Sequence, residues 1–157
     1  MKTLSGCLLP LLLVACVVVG PDADPPATAN PDALAQVGRW TLQAAADAQG
    51  RPLAGAMPHG KAVHALAFAD GAVAIEGGCN HIGGRYRIDA GGRLVVAQIQ
   101  TTLMACQDQA LMAADSAVAG LLQGASQWRF MESYPEQLRL DHADGRSSHW
   151  VADRPAP

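Results

Sequence analysis

Aromatic side chains are scarce: three Trp, two Tyr and two Phe make up 4% of 157 residues. A core must therefore come from Leu, Val, Ile and Met around the anchors Trp40, Phe68, Trp128 and Trp150. Lysine is scarcer still, with only Lys2 and Lys61, and the nine arginines are spread along the chain. With a formal net charge of −3 and a pI near 5.9, this composition excludes a basic nucleic-acid surface. No C-x-x-C or H-x-x-x-H spacing supplies a paired metal ligand, and no G-x-x-x-x-G-K-S/T loop supplies a phosphate cradle. No apolar run reaches the roughly 20 residues that span a bilayer. No internal repeat occurs.

The N-terminus carries an address. Met1-Lys2-Thr3 is a short positive start, and Leu4 to Ala15 follow as an uncharged apolar run. Leu13-Val14-Ala15-Cys16 places small residues directly before a cysteine and resembles a bacterial lipoprotein signal, cleaved before Cys16 and acylated there. More than one acyl chain gives stable anchoring at about 0.8 kcal/mol per buried CH₂. Val17, rather than an aspartate, favours the outer membrane, with the domain facing the periplasm. Cys7 has no apolar run ahead of it and leaves with the signal. Residues 20–32 hold Pro21, Pro25, Pro26 and Pro31 among small polar residues and read as an extended tether. The expected organisation is a signal peptide over 1–15, an acylated cysteine and tether over 16–35, and one domain over 36–154.

Hydrophobic periodicity organises that domain. Trp40 and Leu42 alternate with Thr41 and Gln43, the period of a half-buried strand over 38–46. A loop of 47–60 follows, then alternation over Val63–Ala69, the Asp70-Gly71 hairpin signal and a returning strand over 72–76. Strands are expected at 85–89, 94–100, 126–131, 137–141 and 147–152. Between the second and third of these, Leu111, Ala114, Val118, Leu121 and Leu122 recur at helical spacing over 107–123, with Asp108 as N-cap and Gly124 just past the end. Trp40, Phe68, Leu111, Val118 and Leu122 are expected in one core, with Met104, Met112 and Met131 as fillers. Short turns imply antiparallel pairing. The expected class is α+β, a curved, half-barrel-like antiparallel sheet packed on one amphipathic helix.

The unusual stretch is Gly77-Gly78-Cys79-Asn80-His81-Ile82-Gly83-Gly84-Arg85-Tyr86, answered by Thr101 to Cys106. Its glycines permit positive φ, and Asn80 tolerates the left-handed region and can bond its own backbone, so an irregular crossing is expected rather than a strand. Cys79 and Cys106 are the thiols left after processing, and an even pair in an oxidising compartment is most simply a disulfide. Two sharper chemistries stay open. Cys79, Asn80 and His81 have the residue types of a cysteine hydrolase, though neighbours on an extended chain point to opposite faces. Cys79, His81 and Cys106 with His59 or His64 have the atom types of a zinc site. The five histidines are otherwise expected on the surface or on edge strands.

Gly78-Cys79-Asn80 with Gly84 and Tyr86, then Thr102 and Cys106, then a helix and further strands, resembles the META domain of HslJ-like bacterial lipoproteins. The likeness runs from about Gly38 to Val151 and includes Trp40-Thr41-Leu42. It implies the Cys79–Cys106 disulfide, a binding or structural role for Gly78, Asn80, Gly84 and Tyr86, and an envelope protein linked to heat-inducibility and antibiotic tolerance. The family often has a glutamate early in the helix, where Ala113 falls here. The resulting expectation is a non-catalytic, lipid-anchored monomer without cofactor or metal, binding a periplasmic protein or a small ligand and no nucleic acid. The alternatives are a thiol or metal hydrolase at Cys79 and His81, or a small-molecule carrier if the curved sheet encloses a pocket.

Overall fold

Asp70 and Gly71 both take positive φ, 48° and 70°, the mirror-image turn that suits the twist of a two-residue hairpin. The hairpin they make seeds a sheet that closes on itself. The computed structural model describes residues 31–131 and 136–153, so the signal, Cys16, Pro135 and the end of the chain lie outside the described residues.

Helix α1 spans Pro31–Val37, and strands follow as β1 Arg39–Ala46, β2 Ala65–Ala69, β3 Ala72–Glu76, β4 Ile82–Ile88 and β5 Leu94–Thr101. Helix α2, Gln109–Leu122, precedes β6 Gly124–Met131, β7 Gln137–His142 and β8 Ser147–Ala152. Each strand pairs antiparallel with the next, and β8 returns to β1 through Trp40 to Ala152 and Leu42 to Trp150. The antiparallel sheet and its covering helix agree with the α+β expectation. The half-barrel is corrected to a closed eight-stranded barrel, because the β1–β8 ladder leaves neither strand as an end.

Inward positions fill the barrel. Trp40, Leu42, Leu66, Leu138, Leu140 and Trp150 are wholly buried, with Phe68, Val73 and Val96 nearly so. Trp128 is half-buried and packs on the rim of this core. Outward positions carry Arg85, Arg87, Arg129 and Arg139, all exposed. The two helices lie at opposite ends. At one end α1, which takes in residues 31–35 of the expected tether, buries Leu34, whose carbonyl accepts from Trp40 Nε1 at 3.1 Å. At the other end α2 buries Ala114, Val118, Leu121 and Leu122. Leu111 is only half-buried and stands outside the cluster expected to contain it.

Helix α2 starts and stops as its sequence dictates. Asp108 Oδ1 accepts from the amides of Ala110 and Leu111, satisfying two of the four orphan donors of the first turn. Gly124 takes φ 108° after the last turn. Two expectations about polar and soft residues are corrected. His64 is fully buried and His142 is 8% exposed, because each sits in a polar cluster inside the fold. His142 Nδ1 lies 2.8 Å from Ser126 Oγ, and burial pushes its pKa down to about 4. Met104 is 50% exposed rather than a core filler, since the segment carrying it runs outside the barrel wall.

Candidate functional site

The glycine-rich crossing joins β3 to β4 at the end of the barrel that α2 covers. Gly77 takes φ 89°, and a Cβ there would stand 1.8 Å from the Val63 carbonyl oxygen. A Cβ on Gly78 would stand 1.8 Å from Asp115 Oδ1 and 2.9 Å from His64 Nε2. Gly77 is glycine because its backbone passes directly over the Val63 carbonyl, and Gly78 because its backbone passes over two buried side chains. That is a steric requirement, beyond the conformational freedom read from the sequence.

Those two side chains form the centre of the site. Asp115, on the buried face of α2, is 2% exposed, and its Oδ1 lies 2.8 Å from Nε2 of the wholly buried His64. Its Oδ2 accepts from the Asn80 backbone amide at 2.8 Å and from Asn80 Nδ2 at 3.0 Å. Asn80 Oδ1 accepts in turn from the Met104 amide at 2.8 Å and from Thr102 Oγ1 at 3.3 Å. Thr102 Oγ1 accepts from the His81 amide, and the Thr102 amide donates to the His81 carbonyl. A carboxylate this deep persists when its oxygens are satisfied, and here both are. His64 Nδ1 is buried without a hydrogen-bond partner.

Cys79 and Cys106 are joined as a disulfide with Cα atoms 6.2 Å apart. It ties the crossing to the segment that leads into α2, beside the tie made by Asn80. A bridged sulfur is no thiolate, so in this state neither cysteine is a nucleophile or a metal ligand.

The sequence-predicted residues divide. Gly78, Cys79, Asn80, Thr102 and Cys106 come together. Asn80 is corrected in its role: its φ is not positive, and its side chain serves Asp115 and Met104 rather than its own turn. Ile82 to Gly84, expected in the irregular crossing, belong to β4 together with the strand expected from Arg85, because Ile82 and Gly83 pair with both Ile75 and Ala74 of β3 and with Thr101 and Gln100 of β5. Gly84 faces a bulge in β5 where Gln98 takes φ 55°, and a Cβ there would lie 3.0 Å from the Ala97 carbonyl. Tyr86 packs edge-on against Phe68 with centroids 5.0 Å apart. Both are wall residues away from Asp115. His59 pairs with Asp108 at 3.1 Å, and hydrogen bonds from His59 and from the Leu111 amide lower the Asp108 pKa. Among the described residues, no group of three His, Cys, Asp or Glu side chains is placed to hold a metal.

Asp115 is not among the residues the sequence singles out, and His64 stands there only as an optional zinc ligand. A signal existed: Asp115 falls four residues after Leu111 and three before Val118, a carboxylate inside the apolar stripe. It is also two positions beyond Ala113, so α2 does contribute a carboxylate in its second turn.

Two clefts flank this node. One, of about 710 Å³, lies over the β3–β4 crossing and is lined by residues that include Glu76, Gly78, Asn80, Gly83 and Gln100. The other, of about 480 Å³, runs between Thr101–Ala105 and the α2 residues Met112, Ser116 and Ala119. Asn80, Thr101 and Thr102 are common to both.

The family model that matches, META domain, covers residues 32–154. No curated protein matches the chain. Among solved structures, an NMR structure of a protein from Burkholderia xenovorans is similar in fold, with a TM-score of 0.64 and 22% identity over 87% of this chain and 97% of that one. A second NMR structure gives a TM-score of 0.53 and 19% identity over 78% and 94%.

Proposed function

Because the chain belongs to the META domain family, we propose that it is a non-catalytic binding module held to the bacterial envelope by an acylated Cys16, its surface at the crossing presented to a periplasmic protein or small ligand. The observation that carries this reading is where the polar chemistry is spent. Asp115, Asn80 and Thr102 hold backbone in place, and both sulfurs are consumed in a cross-link. A hydrolase needs a nucleophile and a base within hydrogen-bond reach of each other, open to substrate. His64, the imidazole in the node, is turned onto Asp115 beneath the surface. The interior carrier is less well supported, since the barrel is filled by Trp40, Trp150 and leucines.

The role implied by the family likeness is one in heat stress or antibiotic tolerance, and it supplies a test. In a strain lacking the gene, Cys79→Ser with Cys106→Ser should restore stress survival wherever the variant is folded, if the bond only supports the binding surface. Loss of survival with a folded, correctly located variant would contradict the non-catalytic reading. Localisation is tested separately by Cys16→Ala, which should leave the membrane fraction or remain unprocessed. An unchanged membrane fraction would rule out the lipid anchor at Cys16.

A further inference from the structure

Pairing between β5 and β6 stops at Val96 opposite Gly124, because the chain leaves the barrel wall to form α2 between the two strands. From Ala97 to Thr101, β5 keeps β4 on one side, and among the described residues no strand pairs with the other. The Thr102 amide donates to the His81 carbonyl at 3.0 Å. By the alternation of an antiparallel ladder, Gln100 also turns its amide toward β4, whereas Ile99 and Thr101 turn theirs to the open side.

This edge differs in chemistry from the rest of the surface. Ala97-Gln-Ile-Gln-Thr-Thr-Leu-Met-Ala105 contains no charge, proline or glycine, and eight of these nine residues are exposed. Leu103 is 98% exposed. Elsewhere Arg39, Arg51, Arg93, Arg129 and Arg146 are each paired with aspartate at turns and strand ends. Exposed edges are ordinarily blunted by charge or proline, and the bulge at Gln98 is the one such device here. Past that bulge the edge opens on the cleft of about 480 Å³, whose far wall is Met112, Ser116 and Ala119. The edge is also rigidly presented, since Asn80, Thr102 and the disulfide fix it from behind.

We propose that this edge is a docking site for an extended, uncharged segment of another polypeptide, which adds as a strand beside Ile99–Thr101 and lays an apolar side chain against Leu103, Met104 and Met112. Main-chain bonds from the open amides give the register, and the two methionines adapt to the inserted side chain. The charged side chain among the cleft's lining residues is Asp115, 2% exposed and with both oxygens already bonded to His64 and Asn80, so a charged segment would lose hydration there without a free partner. The proposal rests on the binding-module reading and names its partner class.

The probe is a displayed library of random peptides, panned against the full chain carrying Cys16→Ser with the disulfide intact. Selected peptides should be uncharged with alternating apolar residues, and they should slow amide exchange at Ile99 and Thr101 by about tenfold or more. Leu103→Lys, at a site too exposed to affect folding, should weaken binding by about tenfold or more, and Thr101→Pro, which removes an outward amide, by a similar factor. No binders, protection at other amides, or unchanged affinity in Leu103→Lys would overturn the proposal. So would a concentration-dependent dimer lost in Leu103→Lys, which would give the edge to a second copy of this chain. Failure of the peptides on a folded, oxidised chain removes this docking site alone, whereas free thiols or loss of survival in the double serine variant removes the reading beneath it.

Discussion

Asp115 is the residue on which the site depends, since it holds His64 from β2's approach and Asn80 from the crossing at once. Removing one partner of a buried charged network leaves the others desolvated, which costs more than the net value of the bonds. Asp115→Ala should therefore destabilise by about 3 kcal/mol or more, read as a shift in the denaturation midpoint. Asp115→Asn, which keeps one acceptor, should lose less. A loss under about 1 kcal/mol for the alanine would show the node to be dispensable. Gly78→Ala should be comparably damaging, because its Cβ would fall on Asp115 Oδ1. The motif Gly78-Cys79-Asn80 was legible as special, but its reason was not. Its glycine answers to side chains 14 residues before it and 37 after it, so no local rule could name them.

Elements were more legible than side-chain partners. The Asp70-Gly71 hairpin, the α2 cap at Asp108 and the strands over 72–76 and 147–152 all stand where periodicity and turn chemistry put them. Barrel closure was not, because period-2 alternation fixes which face is inward and says nothing about whether the first strand meets the last. Helix α1 was hidden by the prolines around it, and the bulge at Gln98 by the smooth apolar pattern of β5. Leu122, 3% exposed under the barrel end, tests the packing of α2: Leu122→Ala should cost about 2–5 kcal/mol. A midpoint shift worth well under 1 kcal/mol would place it outside the core. The turns make a separate prediction. Asp47 and Asp89 each accept two backbone amides and Asp144 one, and each also accepts from an arginine side chain, which holds their carboxyls below the ordinary range. A carboxylate depressed in the folded state adds stability above its unfolded pKa and loses it as pH falls. Stability from these turns should thus be full near neutrality and decline below about pH 4. Carboxyl carbon shifts of these three aspartates followed by NMR should titrate below the ordinary aspartate value, and titration at that value would refute the turn bonds.

At the scale of the whole molecule, the closed barrel and two end helices hold the strands in register. The cross-link adds to this by tying the β3–β4 crossing to the segment before α2. A sequence separation of 27 gives a chain-entropy stabilisation of about 3.5 kcal/mol for the Cys79–Cys106 bond, a large share of what a domain this size retains. The bond and the Asp115 node converge on the same short segment, so the crossing and the open edge of β5 form one rigid unit. As proposed, this unit is a cross-linked scaffold rather than a reactive centre. Intact-mass measurement of the non-reduced mature protein after alkylation tests it most directly: the cysteines at 79 and 106 should take up no alkyl group, whereas two adducts on them would mean free thiols and would restore the thiol and metal chemistries.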